Sequence, residues 1–249
     1  MAERTSYAPG TPSWADVGVP DTAAAAAFYG ALFGWTFEPS PDPEAGGYGM
    51  FTLRGKNVAG LGPQQNAGMP PFWTVYVTVA DAYATTAIAE ANGGTVIVPP
   101  MDVFDAGRMA VMQDSLGTFI SIWQPKNHVG AELVNEPNTF VWNELATPDI
   151  ARSRAFYRAV FGWQHMEGPD ERSLFTLEGD MMCGAHTASD GEFPAWAVWF
   201  SVADCDRAAA KVIELGGTVV VPPTDMAFGR TAVVADPWGA VFGIGKMAG

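Results

Sequence analysis

The 249 residues carry 13 basic and 27 acidic side chains, a formal charge of −14 with histidine neutral. Nucleic-acid and anionic-membrane binding rely on basic patches, so the composition speaks against both. With 48% hydrophobic and 16% charged residues the chain has enough apolar material for a packed fold rather than a disordered one.

Two cysteines 22 positions apart, Cys183 and Cys205, form neither a disulfide framework nor a zinc ribbon and suit a reduced, cytoplasmic setting. No apolar run approaches the roughly 20 residues of a membrane-spanning helix, and the first residues lack the apolar stretch of a secretory signal.

In chain order, alternation predicts a strand over 13–19. A helix over 21–33 follows, with Asp21 as N-cap, Ala24, Phe28 and Leu32 on one face, and Gly34 as a left-handed stop. Short strands are expected around 35–37, 48–53 and 58–61. A second run of strand (73–79), helix (81–92) and strands around 95–98, 109–113 and 118–123 has the same βαβββ order.

The pattern then repeats. AFYGALFGW at 27–35 returns as AFYRAVFGW at 155–163, with seven of nine positions identical, and GGTVIVPP at 93–100 returns as GGTVVVPP at 216–223. WTVYVTVAD at 73–81 answers WAVWFSVAD at 196–204, and Gly107-Arg108 answers Gly229-Arg230. The chain is therefore two tandem copies and four βαβββ modules. A stretch rich in Pro, Asn, Gly and charge at 124–138 reads as the linker, with a short strand near Leu133. The domains are expected at 1–127 and 128–249.

Tandem βαβββ modules, a first helix ending in FYxxVFGW or FYxxLFGW, and a late DPWGA turn at 236–240 resemble the vicinal oxygen chelate superfamily. That superfamily includes glyoxalase I, extradiol dioxygenases and the bleomycin and fosfomycin resistance proteins. The two-copy arrangement is similar to a group of actinobacterial proteins often labelled hydroxylases or glyoxalase-like antibiotic-resistance proteins. The resemblance implies an α+β fold of two glyoxalase-like domains, with four modules forming cupped mixed sheets and helices outside.

Alternation assigns the faces. In the first copy Trp14, Asp16, Thr74, Tyr76, Thr78, Ser121 and Trp123 point into the cup. In the second, Trp142, Glu144, Ala197, Trp199, Ser201 and Gly243 do so. Metal-bearing members place a His in the first strand, a His or Gln in the fifth and a Glu in the last. Those positions correspond here to Trp14, Thr74 and Ser121, and to Trp142, Ala197 and Gly243. Neither trio supplies three N, O or S donors, so no superfamily-type metal and no cofactor is expected.

Each cup keeps one carboxylate, Asp16 and Glu144, on a low-dielectric wall. Each is read as a general base or hydrogen-bond anchor, or alternatively as a structural acceptor for donors such as Arg108 or Arg230. Trp14, Thr74, Tyr76, Ser121, Trp123, Trp142 and Trp199, with His186 at a strand end, are the candidate ligand contacts, and the aromatics suit a planar ligand or fill the cup themselves. Arg108 and Arg230 read as clamps for an anion or as partners of Asp114 and Asp236. The cysteines read as inert thiols.

The leading expectation is a metal-independent protein binding a small, partly aromatic or polyketide-like molecule, or assisting its hydroxylation. A metal-dependent glyoxalase or dioxygenase, and a degenerate scaffold acting through protein contacts, are the alternatives. The chain is expected to act as a monomer, through pairing of its own modules, or as a dimer.

Overall fold

Four helices begin on an aspartate whose carboxylate caps the first turn. Asp21 accepts from Ala24 N at 3.0 Å, Asp149 from Arg152 N at 3.0 Å, Asp204 from Arg207 N at 3.0 Å, and Asp81 from Tyr83 N and Ala84 N. Gly34 and Gly162 stop the first and third in the left-handed region at φ 74° and 75°, a conformation open to glycine without a Cβ penalty. The computed structural model describes residues 3–65, 68, 70–169 and 172–247.

The first copy runs β1 (Pro12–Val19), α1 (Thr22–Phe33), β2 (Thr36–Pro39), a 3-10 turn (Pro43–Ala45), β3 (Gly49–Leu53), β4 (Lys56–Pro63), β5 (Phe72–Thr78), α2 (Ala82–Ala91), β6 (Thr95–Val103), β7 (Gly107–Gln113) and β8 (Phe119–Pro125). The second runs β9 (Phe140–Thr147), α3 (Ile150–Phe161), β10 (Gln164–Glu167), β11 (Ser173–Leu177), β12 (Asp180–Thr187), β13 (Ala195–Ser201), α4 (Cys205–Glu214), β14 (Thr218–Met226), β15 (Gly229–Ala235) and β16 (Val241–Met247).

Each copy makes one eight-stranded mixed sheet. The orders are β2-β3-β4-β1-β5-β8-β7-β6 and β10-β11-β12-β9-β13-β16-β15-β14. The two modules of a copy meet where β1 runs antiparallel to β5, and β9 to β13. Modules therefore pair within a copy, and the first strands of the two modules lie side by side at the sheet's centre.

The helices cover the faces opposite the cups, and the copies dock through those faces about a pseudo-twofold axis. Trp73 on β5 packs its ring 5.0 Å from Phe200 on β13. Tyr29 of α1 donates to Asp236 Oδ2 at 2.9 Å, and Tyr157 of α3 donates to Asp114 Oδ2 at 2.9 Å. The other oxygen of each aspartate caps its own turn, Asp114 Oδ1 from Leu116 N and Thr118 N, Asp236 Oδ1 from Trp238 N and Ala240 N. Trp73 Nε1 and Trp196 Nε1 in turn donate to the two tyrosine hydroxyls. Trp35 and Trp163 reach across to the carbonyls of Asn138 and Gly10. These polar groups are buried in an aromatic cluster, so each unmade bond costs about 1–3 kcal/mol.

This interface corrects one expectation. Arg108 and Arg230 do not pair with Asp114 and Asp236, whose oxygens are taken by turn amides and tyrosines. Arg108 pairs with Asp102 and stacks over Tyr83, while Arg230 pairs with Asp206 and Asp225. These pairs are largely solvent-exposed and contribute little to stability.

The linker is ordered against the first sheet. Lys126 N and His128 N donate to Ala106 O, Ala131 N to Ser13 O, and Glu132 N to Asn57 O, while Glu3 bridges Leu133. Residues just past the expected 127/128 boundary thus cross the strand ends of β7, β8, β1 and β4. No helix among the described residues is long and apolar enough to cross a membrane.

Candidate functional site

In the first cup the register places Trp14 opposite Tyr76 and Asp16 opposite Thr74, and Tyr76 beside Ser121. One row across the floor is therefore Trp14, Tyr76 and Ser121, and the next holds Asp16 and Thr74. This is the inward set that alternation predicts. Tyr76 and Tyr48 both donate to Asp16 Oδ2, at 3.0 and 3.2 Å, and Trp14 Nε1 donates to the Tyr48 hydroxyl at 3.3 Å.

The room for this network comes from Gly60 on β4, the register partner of Asp16, where a Cβ would collide with the Tyr48 hydroxyl. Asp16 is hemmed in by protein and, as a residue, partly exposed. Burial pushes its carboxyl from 3.8 up to about 6, against the lowering effect of hydrogen bonds from Tyr76, Tyr48 and Thr74. Burial, and then the Asp16 charge, hold both tyrosine hydroxyls well above their ordinary range, so they stay neutral donors.

One end of this cup is closed by the linker. The His128 ring sits edge-on to Trp14 at 4.4 Å and to Trp123 at 5.6 Å, and its carbonyl accepts from Trp123 Nε1 at 2.8 Å. Burial lowers the His128 imidazole to about 4, so it is neutral. Its Nε2 and the Ser121 hydroxyl, the latter fully buried, make no hydrogen bond within the protein. Sequence reasoning left His128 in the linker, with no signal that it enters the cup.

The second cup is built on the same plan with different chemistry. Glu144 Oε2 accepts from Trp142 Nε1 at 3.0 Å. Its Oε1 accepts from Arg172 Nε at 2.9 Å and lies 3.3 Å from His186 Nδ1. His186 Nε2 faces Glu192 Oε1 at 3.0 Å. The hydrogen bond to Glu144 holds the His186 imidazole above its ordinary value, opposed by burial. Arg172 also lies over the Phe228 ring. Trp199 lies across Gly243, where a Cβ would enter the indole, and its Nε1 has no partner.

The repeat brings out a difference that alternation could not. Tyr48 immediately precedes β3 and Arg172 immediately precedes β11, so the two are equivalent, and each donates to its own cup's carboxylate. A neutral phenol serves Asp16 and a guanidinium serves Glu144. The arginine that meets a cup carboxylate is Arg172, in place of the expected Arg108 or Arg230. Neither Tyr48 nor Arg172 stood out in the sequence, because both lie at strand starts beside turns where alternation assigns no face.

His186, partly exposed near the end of β12, lies between two carboxylates. Both cysteines are buried and free, with Cys183 pushed well up and Cys205 to about 11 by burial, as inert thiols are. Two surface clefts lie away from the cup floors. One is beside Arg4, Asn57 and His128 at the linker, and the other lies between Val79–Thr85 and Val160–Phe161.

The sequence signature of the Glyoxalase/Bleomycin resistance protein/Dioxygenase superfamily matches residues 11–122 and again 138–244. The chain belongs to this superfamily. CFP32 of Mycobacterium bovis, which carries a glyoxylase name, is 41% identical over 260 aligned positions covering 100% of this chain and 99% of that protein. The anthracycline biosynthesis protein DauV of Streptomyces sp. (strain C5) is 39% identical over 98% of this chain and 95% of its own. Among solved structures, the Mn(II)-bound glyoxalase from Novosphingobium aromaticivorans superposes with a TM-score of 0.67 at 15% identity, covering 96% of this chain and 82% of that one. The 2,3-dioxygenase LapB from Pseudomonas sp. KL28 gives 0.66 at 16%, covering 96% and 92%. At such identities the structures share the fold alone.

The residues at the superfamily's metal positions do not fit an ion. Trp14 and Trp142 present indole N–H donors already spent on Tyr48 and Glu144. Thr74 hydrogen-bonds Asp16, Ala197 has no donor atom, and Gly243 lies under Trp199. Only Ser121 offers an uncommitted oxygen. Among the described residues no group of three His, Cys, Asp or Glu side chains is placed to hold a metal.

Proposed function

We propose that the chain binds a small, planar, partly aromatic molecule of polyketide type in its first cup without a metal ion, sequestering it or presenting it for hydroxylation. The observation that carries this reading is the Asp16 carboxylate, on a partly exposed residue, held by two tyrosine hydroxyls and paired with no cation among the described residues, beside the buried indoles of Trp14 and Trp123. A carboxylate so placed accepts a ligand hydroxyl, and the indoles supply an apolar wall. The anthracycline name of a relative 39% identical over nearly its whole length supports a fused-ring ligand.

The test is titration of chelator-treated protein with 2-hydroxyanthraquinone, followed by tryptophan emission. Saturable quenching is expected. It should vanish in Thr74→Trp, which sets an indole over the floor beside Asp16. Absence of quenching, or quenching unchanged by Thr74→Trp, overturns the reading.

A scaffold role is the second reading, favoured by the packing of His128 between Trp14 and Trp123 at the closed end. It predicts no binding across a panel of planar ligands.

A further inference from the structure

The cleft at the linker is walled by three separate segments. Arg4 comes from the start of the chain, Asn57 from β4, and Asn127, His128, Val129 and Glu132 from the linker. Chain ends ordinarily fray unless they are tied down. Here Arg4 N donates to Glu132 O at 2.8 Å, Glu3 bridges Leu133, and the Tyr7 hydroxyl donates to Ala131 O. Glu132 is tied to β4 in turn, its N–H donating to Asn57 O at 2.7 Å and its Oε2 accepting from Asn57 N at 2.8 Å. Backbone bonds therefore hold the walls, and the remaining side-chain groups are left to face the cleft.

Two opposite charges line this cleft without meeting. Among the described residues neither the Arg4 guanidinium nor the half-buried Glu132 carboxylate has an ion-pair partner, although their neighbours Glu3 and Lys56 approach to 4.0 Å. Glu132 Oε1 and the Asn57 side-chain amide also take part in no hydrogen bond among the described residues. A simple anion would be drawn by Arg4 and repelled by Glu132, and a simple cation the reverse. A molecule carrying both charges satisfies both groups at once. The cleft holds about 220 Å³, below the roughly 300–1,000 Å³ of pockets for drug-sized ligands, so its occupant is smaller than a fused-ring system.

We infer that this cleft is a second small-molecule site, for a free α-amino acid. The ligand carboxylate pairs with Arg4, its ammonium donates to Glu132 Oε1 and the Asn57 side-chain oxygen, and its side chain lies along Val129 and the His128 ring. The site does not rest on the binding reading for the first cup. It is nevertheless next to that cup, because the same His128 ring packs against Trp14 and Trp123.

The experiment is an NMR titration of the nitrogen-labelled full chain with L-leucine and with its two one-charge relatives, leucinamide and isocaproate. Saturable shifts at the Asn57, His128 and Glu132 amides are expected for L-leucine in the millimolar range. Removing either charge from the ligand should weaken binding at least about tenfold, the scale of one charge-assisted hydrogen bond. Arg4→Gln should weaken L-leucine to the same degree without weakening leucinamide. Glu132→Gln should weaken L-leucine without weakening isocaproate.

Arg4 is exposed, so its variant keeps the test decisive should Glu132→Gln fail to fold. The absence of saturable shifts with L-leucine, or shifts confined to other residues, overturns the inference. Equal binding of the three ligands, or L-leucine binding unchanged in Arg4→Gln, overturns it as well.

Discussion

Replacing Asp16 with Asn removes a charge that the fold must otherwise hold against burial, and the effect has a definite sign with pH. The folded carboxyl titrates at about 6, against 3.8 for an unburied aspartate. An acid whose folded value is raised favours the fold most when both states are protonated, below 3.8. That advantage is lost as the pH rises from 3.8 to about 6, because the unfolded chain gives up its proton first. Integrating the two titrations from pH 4 to pH 7 gives a loss of about 2 kcal/mol in the wild type that Asn does not share.

His128 acts in the opposite direction over nearly the same range. Its folded value of about 4 lies below the ordinary 6.5, so its burial costs most at low pH and least above 6.5, a gain of about 3 kcal/mol across the interval. The two groups nearly cancel in the wild-type profile, and only the variant separates them. Tyr48 and Tyr76 are the titratable groups on Asp16, and His128 packs against Trp14. Urea unfolding of both proteins at pH 4 and pH 7 is the assay. Stability of Asp16→Asn relative to wild type should rise by about 2 kcal/mol between the two, on top of any constant offset from altered hydrogen bonds. An offset equal at both values of pH would refute the assignment of Asp16 as a buried, unpaired carboxyl.

Three further outcomes follow from named contacts. Tyr29→Phe leaves Asp236 Oδ2 and Trp73 Nε1 unpaired at the junction of the copies, so the urea midpoint should fall by an amount worth about 1–3 kcal/mol. A loss below about 0.5 kcal/mol would mean the bond is not made in solution. Glu144→Gln removes the main group holding the His186 imidazole up. The NMR titration of His186 should move down, and the stabilisation it supplies below its unfolded value, lost in the wild type as pH rises through the folded value, should shrink. An unmoved titration would show that Glu192 alone sets it. Gly184→Ala forces a methyl into the Glu144 carboxylate and should destabilise by about 1–3 kcal/mol, read by thermal unfolding; a neutral result would place the Glu144 side chain elsewhere.

The fold was legible because it is written twice. A repeat of seven identities in nine positions, with aspartate caps and glycine stops at the same places, defines the modules before any contact is known. Face assignment follows the same logic, since a period of two leaves no choice once Val17 and Val19 are buried: the register sets Trp14, Tyr76 and Ser121 in one row and Asp16 with Thr74 in the next. What decides the chemistry was hidden in irregular segments. Tyr48 and Arg172 sit at strand starts beside turns, His128 arrives from a linker, and Glu192 comes from a loop to meet His186.

The pairings of Asp114 and Asp236 were misread for a related reason. An aspartate six residues from an arginine invites an ion pair. Its partner is instead a tyrosine 43 or 207 positions away, across a junction that only the three-dimensional packing creates.

Isothermal titration of dialysed, metal-free protein with 2-hydroxyanthraquinone, repeated with added Mn(II) or Fe(II), bears most directly on the claim that the first cup binds a planar aromatic without an ion. The account predicts saturable heat for a single class of site, unchanged by either metal and abolished in Thr74→Trp. Heat that develops only when metal is present would contradict it.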